Sequence, residues 1–187
     1  RIDFFEKNWY SFSISNLIEN HPQRNEWDTS LLEQVADVID PHPSHRAPPK
    51  QNDGYPFAGI GDISVDGTIN IEKARKIGET FVIQQEKAYE INEKSIGYGR
   101  VASVGKVMRL RKQKFRYAIS PTLAVINPNS NINHDFLFYM LKSNYFFKQV
   151  SKQTTGSTRE ALGIMKLRKL SVLVPIPTQQ KDIVKKI

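Results

Sequence analysis

Phosphate chemistry would be sought first in Gly97-Tyr98-Gly99-Arg100-Val101-Ala102-Ser103-Val104-Gly105-Lys106. Glycines let backbone N–H groups close around an anion, and a lysine adds the charge. A phosphate-cradling loop needs four residues between its glycine and Gly-Lys, then Ser or Thr to reach a metal. Here Gly99 to Gly105 leaves five, and Val107 follows Lys106. A dinucleotide fingerprint requires a helix directly after its glycines, but the run from Val101 to Leu110 is β-branched and poor in helix formers. No HRD or DFG follows, as a kinase-type glycine loop would require. The glycines are expected instead to permit a sharp turn or a close backbone approach, with Arg100 and Lys106 facing out.

The other chemistry-bearing residues are sparse. His42 and His45 stand three apart, with no carboxylate or third histidine in their segment to complete a metal site. The absence of cysteine excludes disulfides, Cys-ligated zinc and thiol catalysis, and it fits a reducing cytoplasm. No Ser-His-Asp or paired-carboxylate arrangement is recognisable in the order of residues. The sequence therefore gives no catalytic centre and no bound metal or cofactor.

Charge carries more information. The net charge is +8. Residues 1–93 hold 9 basic and 16 acidic side chains, and residues 94–187 hold 18 and 3. Between Lys94 and His134 there is no acid, while Lys106, Arg109, Arg111, Lys112, Lys114 and Arg116 crowd together. Such self-repulsion is expected where a polyanion is the partner. The polar loop Gln153 to Arg159, with Ser157, Thr158 and Arg159, adds side chains able to meet base edges.

Elements must position these groups. With 187 residues, one filled domain plus an appendage is expected, and no apolar run is long enough to span a bilayer. The N-terminus has no secretory pattern and no starting Met, as expected of a fragment or processed chain. Residues 1–25 read as an aromatic-rich helical or irregular lead-in, with Phe4, Phe5, Trp9, Tyr10 and Phe12 packing on the body. A short helix is expected from Trp27-Asp28-Thr29-Ser30, with Ser30 and Glu33 at capping-box spacing and Leu31, Leu32, Val35 and Val38 buried. Four prolines make Asp40 to Pro49 a surface loop. Strands are expected over Tyr55–Ile63, Thr80–Gln84, Tyr98–Val107, Phe115–Ile119, Leu123–Ile126 and Leu170–Val174, with a tight turn at Val65–Ile69. Asn133 caps a helix over Asp135–Val150, and Thr178 starts a last helix with an apolar stripe of Ile183, Val184 and Ile187. This is an α+β chain: one mixed domain with a largely antiparallel β core and packed helices, ending in the start of a long helix.

Several segments, in order, resemble the target-recognition domains of type I restriction-modification specificity subunits. They begin with Trp27, Leu32, Val35 and Ala36. Next, Asp40…His45-Arg46-Ala47-Pro48 and Gly54-Tyr55-Pro56-Phe57 look like the family's Asp-x-x-His-x-Thr-Pro loop and Gly-φ-Pro strand, with Ala47 in place of the usual Thr. Ile60-Gly61-Asp62-Ile63 and Asp66-Gly67-Thr68-Ile69 follow, then the Arg100–Val107 segment and Thr155-Gly156-Ser157-Thr158-Arg159. The end, Val174-Pro175-Ile176-Pro177-Thr178-Gln179-Gln180, is similar to the start of the family's spacer helix. On this resemblance, residues 26–176 are the recognition domain and 177–187 the beginning of the spacer.

The resemblance implies a non-catalytic chain that reads one half of a bipartite target in double-stranded DNA. Methyltransferase and restriction subunits would dock on it, with S-adenosylmethionine held by the methyltransferase partner. Lys106, Arg109, Arg111, Lys112, Lys114 and Arg116 are expected on phosphates. Arg100, Ser157, Thr158 and Arg159 are expected near bases, together with His45 and Arg46. The stripe of Ile183, Val184 and Ile187 would pair with another helix and favour self-association. Two further readings stay open: the recognition module of a fused type II restriction-methylation enzyme, and a non-specific basic nucleic-acid-binding module. A nucleotide-binding enzyme using the Gly97–Lys106 loop is a third, distinguishable by a nucleotide-induced rise in melting temperature.

Overall fold

Strand β8 (Leu123–Pro128) shows how this sequence builds two cores at once. Successive side chains of a strand point to opposite faces. Ala124 and Ile126 enter the larger core, while Leu123 and Val125 enter a second. The computed structural model describes residues 13–42, 47–154 and 161–187. β8 lies inside a four-stranded antiparallel sheet, between β2 (Ala36–Ile39) and β5 (Ile96–Gly99), with β6 (Val107–Arg109) outermost beside β5. Register is fixed by pairs such as Val38↔Ile126, Tyr98↔Ala124 and Gly97↔Met108.

Helices cover one face of this sheet. Helix α1, residues 13–19, contributes Ile14 and Ile18, and α2 (Leu32–Val35) contributes Leu32 and Val35. Phe136, Leu137, Met140 and Leu141 come from α4 (His134–Lys142), and Phe146 and Val150 from α5 (Asn144–Thr154). The short α6 (Ile164–Arg168), which the sequence reading missed, adds Leu167. A two-stranded ribbon of β1 (Asp28–Leu31) and β9 (Ser171–Val174) closes the side. The opposite face packs on a small three-stranded sheet. Its middle strand, β3 (Tyr55–Ala58), lies between β4 (Arg75–Ile77) and β7 (Ala118–Ile119). β3 and β7 run parallel, and the other pairings are antiparallel. Helix α3 (Glu79–Ala88) buries Val82 against Phe57, Ile77 and Ala118.

Four expectations need correction. Trp27–Ser30 does not open a helix, because Thr29 and Ser30 pair with Leu173 and Val172 and leave only one helical turn at α2. Glu33 does not complete the capping box; Gln34 Oε1 accepts from Leu31 N at 2.7 Å instead. Thr80–Gln84 lies in α3, where the seat on β7 overrides the strand propensity of the local Phe-Val-Ile run. The buried Gln85 amide then bonds both Ile119 N and Ile119 O at 2.8 Å, serving as a substitute strand partner for β7. The helix expected over 135–150 is two helices broken at Ser143, whose hydroxyl donates to Met140 O at 2.7 Å.

The last helix, α7 (Pro177–Lys186), needs a further correction. Its stripe is not an exposed face: Ile183 is 2% exposed, and Val184 and Ile187 pack against the larger core. The expected strands at Leu123–Ile126 and Leu170–Val174 and the cap at Asn133 hold, since Asn133 Oδ1 accepts from Asp135 N and Phe136 N at 3.0 Å. Residues 13–19 of the lead-in belong to the larger core, and Phe4, Phe5, Trp9, Tyr10 and Phe12 lie outside the described residues. Among the described residues no helix is long and apolar enough to cross a membrane.

Candidate nucleic-acid interface

Arg100 is where the segments of interest meet. It follows β5, and it is buried rather than facing out, at 4% exposure. Its Nη2 donates to Asp40 Oδ2 at 3.2 Å and to Pro121 O at 3.1 Å. Its main chain donates to Thr122 O and accepts from Leu162 N, both at 2.8 Å. The next residue, Val101, bridges to Ala161. One side chain and its backbone thus tie Asp40, the 120–122 turn and residues 161–162. A buried cation held by a carboxylate cannot reach a base edge, so Arg100 positions loops instead of reading DNA.

The turn beyond Arg100 is strained. Ala102 has φ 65°, and Ser103 N donates to Val101 O at 2.8 Å across it. Such three-residue turns with positive φ are rare. Gly105, at φ 90°, reverses the chain into β6, which is why the expected Tyr98–Val107 strand is a hairpin. Gly99 allows close approach instead: a Cβ there would strike Ser103 O and Ile60. The glycines of this segment therefore serve a turn and a tight contact. Ala102, Ser103 and Lys106 lie at the surface, and Lys106 Nζ donates to Ile60 O at 2.7 Å.

The basic run is less free than its sequence suggests. Arg109, only 14% exposed in its side chain, is paired with Asp135 and lies 4.0 Å over the Phe138 ring. It clamps β6 to α4 and is not disposed to hold a phosphate. Burial, then the nearby Arg109 charge, lowers the Lys142 amine from its ordinary range. Arg116 is bracketed by Glu79 at 2.5 Å and Glu86 at 2.6 Å, and its Nε also donates to Glu86 at 3.0 Å. Those hydrogen bonds hold the Glu86 carboxyl below the usual range and raise the Arg116 guanidinium. Lys112 pairs with Glu90 at 3.3 Å, and Arg111 with Glu93 at 3.9 Å. Among the described residues, Lys114 is exposed and makes no ion pair.

Between α3 and this run lies a cleft of about 430 Å³, floored by Tyr89, Ile91, Phe115 and Tyr117 and rimmed by Glu86, Lys112 and Arg116. Burial raises the hydroxyl pKa of both Tyr89 and Tyr117. The acids Glu79, Glu86, Glu90 and Glu93 went unnoticed as site residues because they lie in the acidic half of the sequence. A helix reading of 79–88 would have put Glu79 and Glu86 on one helix face, but not beside the cations.

His45, Arg46, Ser157, Thr158 and Arg159 lie outside the described residues. His42 is half-buried, edge-on to Phe57 and Phe81 at 6.0 and 6.5 Å between ring centres. Among the described residues no group of three or more potential metal ligands converges.

A two-core α+β domain, with loop segments meeting around Arg100 at one end of its main sheet, is the architecture of a DNA specificity domain. The family model "Type I restriction modification DNA specificity domain" matches residues 24–187, and the chain belongs to that family. Its fold is similar to the HsdS subunit from Thermoanaerobacter tengcongensis, with TM-score 0.61, 16% identity and coverage of 99% of this chain and 44% of that one. A chain from a study of complex assembly and conformational transition of the type I R-M system superposes with TM-score 0.63, 18% identity and coverage of 99% and 45%. The type IIG restriction endonuclease BpuSI shares the fold with TM-score 0.55, 9% identity and coverage of 96% and 28%. The chain thus spans less than half the length of these structures. No curated protein sequence matches it. Membership makes this chain a type I restriction-modification DNA specificity domain.

Proposed function

We propose that this chain reads one half of a split target in double-stranded DNA, for a complex whose methyltransferase and restriction subunits perform the chemistry. The observation that carries this reading is the convergence on Arg100. Through Asp40, Thr122 and Leu162, a single buried residue gathers several loop segments at one end of the sheet. Loops on a rigid scaffold are where recognition residues are placed. In the sequence His45 and Arg46 follow Asp40, and Ser157, Thr158 and Arg159 precede Leu162; we assign these five to base edges. Arg has the fork that suits guanine, while Ser, Thr and His complete a mixed donor–acceptor set.

Lys106 and Lys114 are assigned to phosphates, and Arg111 and Lys112 join them by exchanging Glu93 and Glu90 for phosphate oxygens. Adenine methylation belongs to the partner subunit, which holds S-adenosylmethionine and flips the base. The chain itself binds no cofactor in this scheme. Binding to a randomised duplex pool at near-physiological salt, with sequencing of retained DNA, tests the reading. Enrichment of one short motif is expected. Retention without enrichment would replace it with non-specific polyanion binding.

A further inference from the structure

The half of the sequence with net negative charge contains a basic recess lined by none of the residues 106–116. Residues Lys50, Gln51 and Asn52 form one wall, and Lys73, Arg75 and Lys76 the other, around a space of about 630 Å³. Among the described residues, Glu72 is the only acid lining it. The walls are held together without consuming the lysine ammonium groups. Gln51 N donates to Lys76 O at 3.1 Å, Arg75 donates to Pro48 O at 2.7 Å, and Pro56 and Phe57 pair with Lys76 and Arg75 across β3 and β4. Among the described residues, none of these four cations is in an ion pair, whereas Arg109, Arg111, Lys112 and Arg116 all are.

Four cations against one acid in a concave, braced surface repel one another unless an anion neutralises them. The recess is also open and polar, unlike the apolar pockets that enclose small ligands. Gln51 and Asn52 add neutral donors suited to phosphate or sugar oxygens. Pro48, held by Arg75, ties the recess to the proline-rich loop that carries His45 and Arg46.

We infer that this recess is a second DNA-binding surface, taking the sugar–phosphate backbone of the duplex beside the bases read by that loop. The inference rests on the reading of the chain as a duplex-DNA reader. It makes the recess, with its unpaired cations, the main electrostatic grip, and it leaves the paired run around Arg116 a lesser one.

The test compares two triple variants of the intact chain. One is Lys50→Gln with Lys73→Gln and Lys76→Gln; the other is Lys87→Gln with Lys181→Gln and Lys186→Gln, which removes equal charge from exposed sites elsewhere. Affinity for the enriched duplex and for a scrambled duplex is measured between about 50 and 200 mM salt, the range over which phosphate contacts show their dependence. The recess variant should weaken both duplexes alike and flatten the log–log salt slope by about 2–3, near 0.9 per lost phosphate contact. The control should flatten it by less than about one contact's worth. Glu72→Gln should tighten both duplexes, a gain of function that a folding defect cannot mimic.

A recess variant with the wild-type slope, or with no more loss than the control, overturns the inference. So does loss of affinity for single-stranded RNA with duplex binding intact. A wild-type chain that enriches a motif while the recess variant binds normally removes only this inference. A wild-type chain without duplex affinity removes the functional reading with it.

Discussion

Arg100 shows how far residue type can mislead. Arginine after a glycine-rich strand, in a half of the chain nearly devoid of acids, has the chemistry of a guanine reader. The partner that decides its role, Asp40, lies 60 residues away in sequence. The pair is nearly enclosed, with side-chain exposures of 5% for Arg100 and 13% for Asp40. Removing one member of such a pair leaves an uncompensated charge and costs about 3–5 kcal/mol. Arg100→Ala should therefore lower stability by about that much, and adding Asp40→Asn should restore part of it. Chemical denaturation measures both. A base reader would behave differently, with an unchanged melting temperature and specificity relaxed at one target position by about 1–3 kcal/mol.

At the scale of elements, legibility followed the source of each element's stability. β8 and α4 were readable because Leu123 to Ile126 and the Asn133 cap carry local signals strong enough to stand alone. β1 and α3 were not, because tertiary pairing decides both: β1 exists through β9, and α3 through the seat it finds on β7. The segments Asp40–Pro49 and Gln153–Arg159 were legible only as motifs, since their residues have no periodicity to report. The Gln-led start of α7 carries a signal that patterning alone would miss. Gln180, 2% exposed, donates to Pro175 O and accepts from Asn133 N, each at 2.7 Å. It thereby joins the beginning of the last helix to the cap of α4. Gln180→Ala would strand both main-chain groups, at about 1–3 kcal/mol each. The expected result is a clear fall in melting temperature and faster amide exchange at the starts of both α4 and α7. Unchanged exchange at Asn133 would show that the amide does not couple them.

For the whole molecule, the question is whether its charge is as divided in space as in sequence. The halves differ sharply, yet the fold interleaves them, setting Glu79, Glu86, Glu90 and Glu93 against Arg116, Lys112 and Arg111. The uneven charge points to a polyanion partner class but does not say which cations are available to it. Phosphate must compete with carboxylates for the 111–116 run, so these acids should restrain non-specific attachment. The pH dependence follows from the sign of the shift. Glu86 is held below its ordinary value by Arg116, so its contribution to the pair is complete above the unfolded pKa of about 4.3 and is lost as pH falls through the folded value. Release of Arg116 should therefore begin only as pH falls below about 4, where Glu86 protonates, and binding to scrambled duplex DNA should strengthen there. Glu79→Gln, Glu86→Gln and Glu90→Gln together should free Arg116 and Lys112 at pH 7, steepening the salt slope by about 2 for the two freed cations, and should abolish most of that acid-side change. Filter binding across pH and salt measures both effects. An unchanged slope in the triple variant would mean that the cleft beside α3 faces away from DNA, leaving the basic run a structural charge ladder between α3 and the strands it covers.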